Sequence, residues 1–237
     1  MTSGTPMLRV DGIGVRYGDV AALRDVSLSI ECGEVVALIG ANGSGKTTLL
    51  QALHGVVVHT GTRTVAPSAT AQSMVFQRPF MLRLSVWHNL QLALWLAGIP
   101  AATRASRATE ALQRAGLSEL RYRQARALSS GQQQRLALVR AWATRPAVLF
   151  LDEPTASLDP SAKKEVEALL ASFAADGMTL VMSTHNLGQA KRLATRVVYL
   201  DRGTIRADLP TDRFFGEHVD GDIELFLKGG LTTWEMH

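Results

Sequence analysis

The sequence is poor in cysteine, in proline and in long apolar runs. Its single cysteine, Cys32, excludes an internal disulfide, so nothing indicates an oxidising compartment and a cytosolic location is expected. The eight prolines and 20 glycines form no repeat or linker, which excludes collagen-like and low-complexity chains. The most apolar stretch, 90–99, is ten residues long, whereas a spanning helix needs about 20. We expect no transmembrane segment, so a membrane role requires a partner.

The composition is that of a globular protein. The 237 residues are 46% hydrophobic and 19% charged, which is enough apolar material for a sizeable core. The first ten residues have neither the basic region nor the apolar core of a secretory signal, so secretion is not expected. No linker divides the chain, and we predict a single domain over 1–237.

Charge is unevenly distributed along the chain. Eleven arginines lie between Arg78 and Arg145, against only Glu110 and Glu119. The last segment, 211–237, has six acidic and two basic residues and is predicted to be a short acidic tail. The arginines fit a solvated helix face, an attraction to anionic lipid or one to nucleic acid. Charge alone does not decide among these.

Hydrophobic patterning predicts an α/β fold. Runs suited to strands occur at 8–15, 23–30, 35–39, 74–76, 148–151, 180–182 and 197–200, and several are continuous, as in buried parallel strands. Val166, Leu169, Leu170 and Phe173 recur with helical spacing. From about 80 to 143 the pattern is helical throughout. We therefore predict a mostly parallel sheet interrupted by an inserted helical lobe over about 80–143.

A phosphate-binding loop follows the apolar run VVALI. The loop has the spacing G-x-x-x-x-G-K-[ST] and comprises Gly40, Ala41, Asn42, Gly43, Ser44, Gly45, Lys46, Thr47 and Thr48. Its glycines allow backbone N–H groups to face phosphate oxygens at the start of a helix. Lys46 is predicted to reach the β- and γ-phosphates, and the Thr47 hydroxyl to bind Mg²⁺. The loop predicts a nucleoside triphosphate site.

Two adjacent carboxylates end a second apolar run, AVLFL. Asp152 and Glu153 lie where ligands bind in open α/β sheets, at the carboxyl end of a strand. Successive strand residues point to opposite sides, so the two carboxylates are expected to differ in role, one near a metal and one near the attacking water. His185 follows a third strand run. Taken alone, it fits a structural residue as well as a catalytic one, and the remaining histidines have no zinc-ligand spacing.

The segment Leu128-Ser129-Ser130-Gly131-Gln132 combines small polar residues with glycine at the start of a helix. Such a start favours an anion, yet no strand precedes it that would place it beside Lys46. It is therefore predicted to bind a phosphate held by a partner. Gln77 and Tyr17, each just after a strand run, would not be singled out on their own.

In this order, these motifs resemble the nucleotide-binding domain of the ATP-binding cassette (ABC) family, over roughly 8–208. The residues that carry the resemblance are the phosphate loop, LSSGQ, the FLDEP run ending in Asp152 and Glu153, the Ser157-Leu158-Asp159 turn, and His185. The resemblance implies a P-loop NTPase core, with an antiparallel β edge and the helical lobe, and ATP with Mg²⁺ as cofactors.

The resemblance also implies roles for individual residues. Tyr17 would stack on adenine, and Gln77 would contact Mg²⁺ or the lytic water and sense a membrane partner. Asp152 would hold Mg²⁺ through water, Glu153 would be the general base, and His185 would contact the γ-phosphate. In the dimer, Asp159 would communicate between subunits, while Ser129, Gly131 and Gln132 would bind the ATP held by the opposite copy.

Two features depart from the family pattern. Ser130 replaces the first glycine of LSGGQ, so its side chain is expected to crowd the helix start while adding a donor, with turnover retained at the same rate or a slower one. The interval from Lys46 to Gln77 is 31 residues, which is short for the family. We expect the β-rich edge between these motifs to be trimmed.

The resemblance favours the ATPase subunit of an importer at the cytoplasmic face of the membrane. The implied partners are a second copy, transmembrane permease subunits and, indirectly, an extracytoplasmic substrate-binding protein, with no nucleic acid. Short segments, including FQRPFMLRLSVWHNL, resemble importers of oxyanions such as tungstate or molybdate. The alternatives are an exporter or lipoprotein-release ATPase, or a soluble ABC ATPase acting on DNA or the ribosome.

Overall fold

The computed structural model describes residues 6–216, so the predicted acidic tail lies largely outside the described residues. In chain order the elements are β1 (Leu8–Tyr17), β2 (Val20–Ile30), β3 (Val35–Ile39), α1 (Lys46–His54), β4 (Thr60–Val65), β5 (Gln72–Val75), α2 (Val86–Leu96), α3 (Ala101–Arg114), α4 (Ser130–Trp142), β6 (Val148–Asp152), α5 (Pro160–Ala175), β7 (Thr179–Ser183), α6 (Leu187–Leu193), β8 (Arg196–Asp201), β9 (Thr204–Pro210) and α7 (Thr211–Phe214). The described chain divides into two compact units, 6–65 with 181–216, and 66–180.

The first unit combines an antiparallel sheet with a parallel strand pair. The antiparallel sheet has the order β2-β1-β4, with Leu8 opposite Ile30 on one side and Val65 on the other. β3 pairs in parallel with β8, which pairs with β9 in antiparallel orientation. All five residues of β3 are buried, because an apolar strand covered on both faces avoids water along its whole length.

The second unit contains the helical insertion. β5 and β6 pair in parallel, and β6 is buried throughout. The core under α4 and α5 is aromatic, since the Trp142 and Phe173 rings stack with centroids 5.7 Å apart. The Arg114 guanidinium lies over both rings and its Nη2 donates to the Ser172 carbonyl. Arginine is thus part of the packing in this unit.

The structure confirms the predicted α/β architecture, with its parallel strands, antiparallel part and helical insert. All seven predicted strands are present within two or three residues. Two strands were missed, β4 and β9. β4 reads TGTRTV and has no buried residue, so its sequence lacks the apolar signal of a core strand. β9 also has no buried residue, since all its residues are either partly exposed or exposed. Whether the chain is one domain stays a prediction.

Candidate functional site

The phosphate loop joins β3 to α1 through backbone positions that only glycine can occupy. Gly40 has a φ of 149°, and a Cβ there would lie 2.2 Å from the Leu200 carbonyl oxygen. Gly45, the N-cap of α1, has a φ of 105°, and a Cβ there would lie 2.8 Å from the Ala22 carbonyl oxygen. Both contacts are too short for any side chain, so the loop's path requires these two glycines.

Lys46 lies inside this loop with 7% of its surface exposed. Its Nζ donates hydrogen bonds to the carbonyl oxygens of Gly40 (2.9 Å) and Ala41 (3.1 Å). The ammonium is therefore positioned by the loop that is predicted to surround phosphate. Thr47 follows in the first turn of α1 and is exposed, so its predicted role in binding Mg²⁺ requires no opening of the loop.

Two further features of the loop are suited to a bound polyphosphate. The first turn of α1 has no acidic residue, so its positive N-terminal end is unopposed. The Ser44 Oγ is buried with no hydrogen-bond partner among the described residues, and a buried hydroxyl ordinarily has one. A phosphate oxygen in the loop would supply an acceptor to the loop's donors.

The carboxyl end of α1 is held by Arg63, which sequence reasoning missed. Its Nε donates to the Leu53 carbonyl at 2.7 Å and its Nη2 to the His54 carbonyl at 3.0 Å. These bonds satisfy carbonyls that a helix end leaves open. Burial, and secondarily the charge of Arg63, lower the pKa of His54 below 6.5. Arg63 is distant from the phosphate loop along the chain, so no motif indicates this role.

Tyr17 and His185 belong to the same unit as the phosphate loop. Tyr17 ends β1 with 51% of its surface exposed, opposite Val20 of β2, which is 67% exposed. An exposed aromatic ring beside an exposed aliphatic side chain is a surface suited to a flat base. His185 is exposed in the turn after β7, at the carboxyl end of that strand.

The two carboxylates lie at the end of β6 in different environments, Asp152 as its last residue and Glu153 just after it. Asp152 is 6% exposed, whereas Glu153 is partly exposed. Glu153 has a φ of 46°, a left-handed conformation that is costly for a residue with a side chain. Its carbonyl accepts a hydrogen bond from the Ala156 N–H at 3.0 Å, which closes a tight turn. Strain at this position turns the chain sharply just after the buried aspartate.

The LSSGQ segment forms the start of α4. Ser129 is the N-cap, with a reciprocal capping box to Gln132. A Cβ on Gly131 would lie 2.6 Å from the Ala162 Cβ of α5, so this glycine also sets the approach of two helices. Ser130 is exposed in the first turn of α4, and its expected effect on the helix start stays a prediction.

Asp159 has a local structural role in the second unit. Its Oδ1 accepts hydrogen bonds from the backbone N–H groups of Ser161 (2.9 Å) and Ala162 (3.0 Å), capping α5. Gln77 is exposed just after β5. Because Oδ1 accepts the capping bonds, a contact of Asp159 with a second copy would use an oxygen that solvent can reach. The Asp159 side chain is accessible to solvent.

The predicted site residues fall into two groups. The first unit holds Tyr17, the loop 40–48 and His185, whereas the second holds Gln77, Ser129–Gln132, Asp152, Glu153 and Asp159. No cluster of three or more His, Cys, Asp or Glu side chains suited to a metal ion occurs in residues 6–216. No helix in the same stretch is long and apolar enough to span a bilayer.

The fold and the phosphate loop define a P-loop protein that binds a nucleoside triphosphate. The family model described as "ABC transporter" matches residues 23–156. The glutamate/aspartate import ATP-binding protein GltL of Escherichia coli K12 is 34% identical over 226 residues, 89% of this chain and 94% of that protein. The chain belongs to the ABC transporter family, whose ATP-binding subunits are ATPases that use ATP with Mg²⁺.

Other relatives agree with this assignment. The methionine import ATP-binding protein MetN of Brucella abortus is 34% identical over 229 residues, 90% of this chain but 62% of that protein's length. CbiO1 of Clostridium perfringens, part of the ABC transporter complex cbiONQ, has a TM-score of 0.80 at 27% identity, covering 90% of this chain and 91% of that one. The cassette MJ0796, solved as a dimer with ADP and Pi, has a TM-score of 0.75 at 27% identity, covering 86% and 99%. The family prediction is confirmed, and the specific resemblance to oxyanion importers is not supported.

Proposed function

We propose that this chain is the ATP-hydrolysing subunit of a membrane importer and works as a dimer of two copies with two ATP molecules between them. The observation that carries the proposal is the phosphate loop, whose glycines at 40 and 45 are fixed by backbone contacts and whose Lys46 is oriented within it. Support for import comes from relatives of nearly equal length that are named import ATP-binding proteins.

The proposed chemistry is the attack of water on the γ-phosphorus of ATP. The Glu153 carboxylate takes a proton from that water while the bond to the bridging oxygen of ADP breaks. Lys46 and His185 bind the γ-phosphate. When bound, Mg²⁺ neutralises phosphate charge, and Thr47, Gln77 and Asp152 are the residues proposed to hold it.

Two copies would complete each site. Ser129, Gly131 and Gln132 of one copy would contact the ATP held by the loop of the other, and Asp159 would lie at the contact between copies. Negative phosphates between two positive helix starts favour a closed dimer, and hydrolysis then favours the open one. This cycle would be passed to permease subunits at the cytoplasmic face of the membrane.

Glu153→Gln tests the catalytic assignment. The variant should bind ATP and form a stable dimer with Mg²⁺ and ATP, measured by light scattering after size exclusion, while phosphate release falls by about 10²-fold or more. Glu110→Gln is the matched control, since Glu110 is an exposed carboxylate on α3 and its loss should change neither property. Phosphate release near the parent rate in Glu153→Gln would remove Glu153 from the role of base.

The permease would contact the docking segment, which we define as residues 78–85. Within it two large apolar side chains lie close together along the chain, Phe80 at 66% exposed and Leu84 at 38% exposed. Arg78 and Arg83 are also exposed there. We propose that an acidic, partly apolar segment of the membrane subunit binds this surface.

A pull-down from native cells in mild detergent tests the partner. Recovery of a small multi-span membrane protein supports the importer, and charge reversal at Arg78 and Arg83 should weaken that recovery at low salt. Charge reversal at Arg202, an exposed arginine of the other unit, is the control. Recovery with ribosomes or DNA from the soluble fraction would instead support the alternative of a soluble ABC ATPase.

The proposed cargo is a small solute delivered by an extracytoplasmic binding protein. The relatives are named for glutamate and aspartate, glutamine, and methionine, so amino acids are the first class to test. Tungstate and molybdate are tested beside them, on the short segments cited above. In proteoliposomes holding the recovered complex, only the binding protein loaded with the true solute should stimulate ATP hydrolysis. If ATP hydrolysis is instead stimulated by a solute that the complex moves in the direction opposite to uptake, the alternative of an exporter is favoured.

A further inference from the structure

The docking segment has an irregular backbone that is fixed by side chains from three places in the second unit. Asn89 of α2 is 1% exposed, its Oδ1 accepts from the Leu82 N–H at 3.2 Å, and its Nδ2 donates to the Ser85 carbonyl at 2.9 Å. The Leu84 carbonyl accepts from the Ala125 N–H at 3.0 Å. These bonds hold the second half of the segment against the start of α2.

Two arginines hold the first half. Arg140 of α4 donates from Nη1 to the Phe80 carbonyl at 3.1 Å. Arg126, just before the LSSGQ segment, donates from Nε to the Met81 carbonyl at 2.8 Å, and its guanidinium lies 5.7 Å from the centre of the Phe80 ring. The Phe80 backbone is thus anchored while its ring remains exposed, so a partner that contacts the ring acts directly on Arg126.

Both arginines are connected to the start of α4. Gln133, in the first turn, donates from Nε2 to the Leu128 carbonyl at 3.0 Å and to the Arg126 carbonyl at 3.3 Å. Arg140 lies about 15 Å along the same helix from Ser130. A helix transmits a displacement along its length with little bending, so a shift at its first turn moves Arg140 as well.

Arg140 is partly buried beside the segment that it bonds. The guanidinium is partly buried, and this burial lowers the pKa of Arg140 from its usual range, although it stays charged at every accessible pH. A partly desolvated cation is stabilised by hydrogen-bond acceptors, and the Phe80 carbonyl is one. The pairing therefore stabilises one position of the docking segment relative to α4.

We propose that Arg126 and Arg140 are positioning residues that couple the docking segment to the LSSGQ end of α4. A partner bound at residues 78–85 would then change how Ser129 and Gly131 meet the ATP of the opposite copy. This inference rests on the proposed function, because it requires ATP at that end of α4. Coupling is reciprocal, so ATP must also change the behaviour of the docking segment, even without the partner.

Hydrogen exchange of the full-length chain measures this reciprocal effect. The parent is Glu153→Gln, with and without Mg²⁺ and ATP, and the double change Arg126→Met with Arg140→Met is added to it. In the parent, ATP should slow amide exchange at 129–132 and at 80–85, the latter by about tenfold. In the double variant, protection at 129–132 should remain while that at 80–85 falls below about twofold.

Three further variants make the test specific. Arg123 is an exposed arginine of the same loop, and it bonds the Val86 N–H through its backbone carbonyl and not through its guanidinium. The variant Arg123→Met keeps that carbonyl, so it should behave as the parent. Arg126→Met alone changes an exposed side chain, so this variant is expected to fold. Arg140→Lys keeps a cationic donor at the same position of α4 and should retain part of the protection at 80–85.

The outcomes separate the inference from the proposed function. Equal ATP-dependent protection of 80–85 in the parent and in the double variant Arg126→Met with Arg140→Met overturns the inference, as does protection confined to 129–132 in the parent. Failure of ATP to protect 129–132 or to form a dimer contradicts the proposed function, and the coupling falls with it.

Discussion

Replacing Gly131 by alanine tests how the start of α4 is packed. The added Cβ would lie 2.6 Å from the Ala162 Cβ, whereas ordinary contacts are 3.4–4 Å, so α4 and α5 must separate by about 1 Å. Overpacking of this kind costs about 1–3 kcal/mol of unfolding free energy. For a chain of this size each kcal/mol lowers the midpoint of thermal unfolding by about 2–4 °C.

Urea unfolding followed by circular dichroism measures the loss, with Ser130→Ala as the neighbouring control. Ser130 is exposed in the same turn, so its replacement should change stability by less than about 0.5 kcal/mol. Ala162→Gly removes the opposing methyl group and costs about 1 kcal/mol of helix propensity by itself.

The double change Gly131→Ala with Ala162→Gly gives the decisive comparison. If the two methyl groups collide, the double variant is more stable than the sum of the two single losses predicts, by about 1 kcal/mol or more. Strict additivity would refute the packing argument, because the comparison of single and double variants cancels the helix-propensity difference of about 1 kcal/mol between glycine and alanine at each position. ATP hydrolysis that stays low in a double variant of restored stability would locate the remaining role of Gly131 in binding phosphate.

Three other predictions concern stability. Asp159→Ala should lose about 1 kcal/mol in thermal unfolding, because two capping bonds of α5 disappear, whereas Asp159→Asn should retain most of it. The pKa of His54 is lowered below 6.5 in the folded chain, so the unfolded chain binds more protons than the folded one. Stability should therefore be full above about pH 6.5 and fall as the pH drops below it. His54→Gln should flatten this slope in urea midpoints measured between about pH 5 and 8. Arg63→Met should cost about 1–3 kcal/mol, and Arg63→Lys should recover only part, since one ammonium replaces a fork that reaches two carbonyls.

Sequence reasoning was strongest where one local pattern determines the structure. β3 was predicted to the residue, because five apolar residues before a glycine-rich loop fit no other arrangement. β4 was missed because an exposed antiparallel strand of threonines looks like a loop. The left-handed backbone of Glu153 was also out of reach, since it results from the turn that follows β6 and not from the glutamate itself.

Contacts between distant parts of the chain were the main omission at the site. The phosphate loop, Asp152, Glu153 and the Ser129 cap follow from motifs whose members are adjacent in sequence. The bonds of Arg126 to the Met81 carbonyl and of Arg140 to the Phe80 carbonyl join residues 45 and 60 positions apart. No periodicity specifies such pairs, because an arginine's partner depends on which carbonyls the fold leaves open nearby.

The contacts made by the eleven arginines between Arg78 and Arg145 change how their positive charge is interpreted. The structure uses several of the eleven within the second unit: Arg114 stacks on Trp142 and Phe173, Arg121 lies 4.2 Å from the centre of the Trp87 ring, and Arg135 donates to the Ala115 carbonyl at 2.6 Å.

Arginine suits these positions, because its planar group both stacks and donates to carbonyls. A nucleic acid needs a continuous row of free cations, whereas here much of the charge is already engaged inside the unit. Arg78, Phe80 and Arg83 are all exposed within the docking segment, and a mixed cationic and aromatic surface of this kind fits a protein partner better than a phosphate backbone.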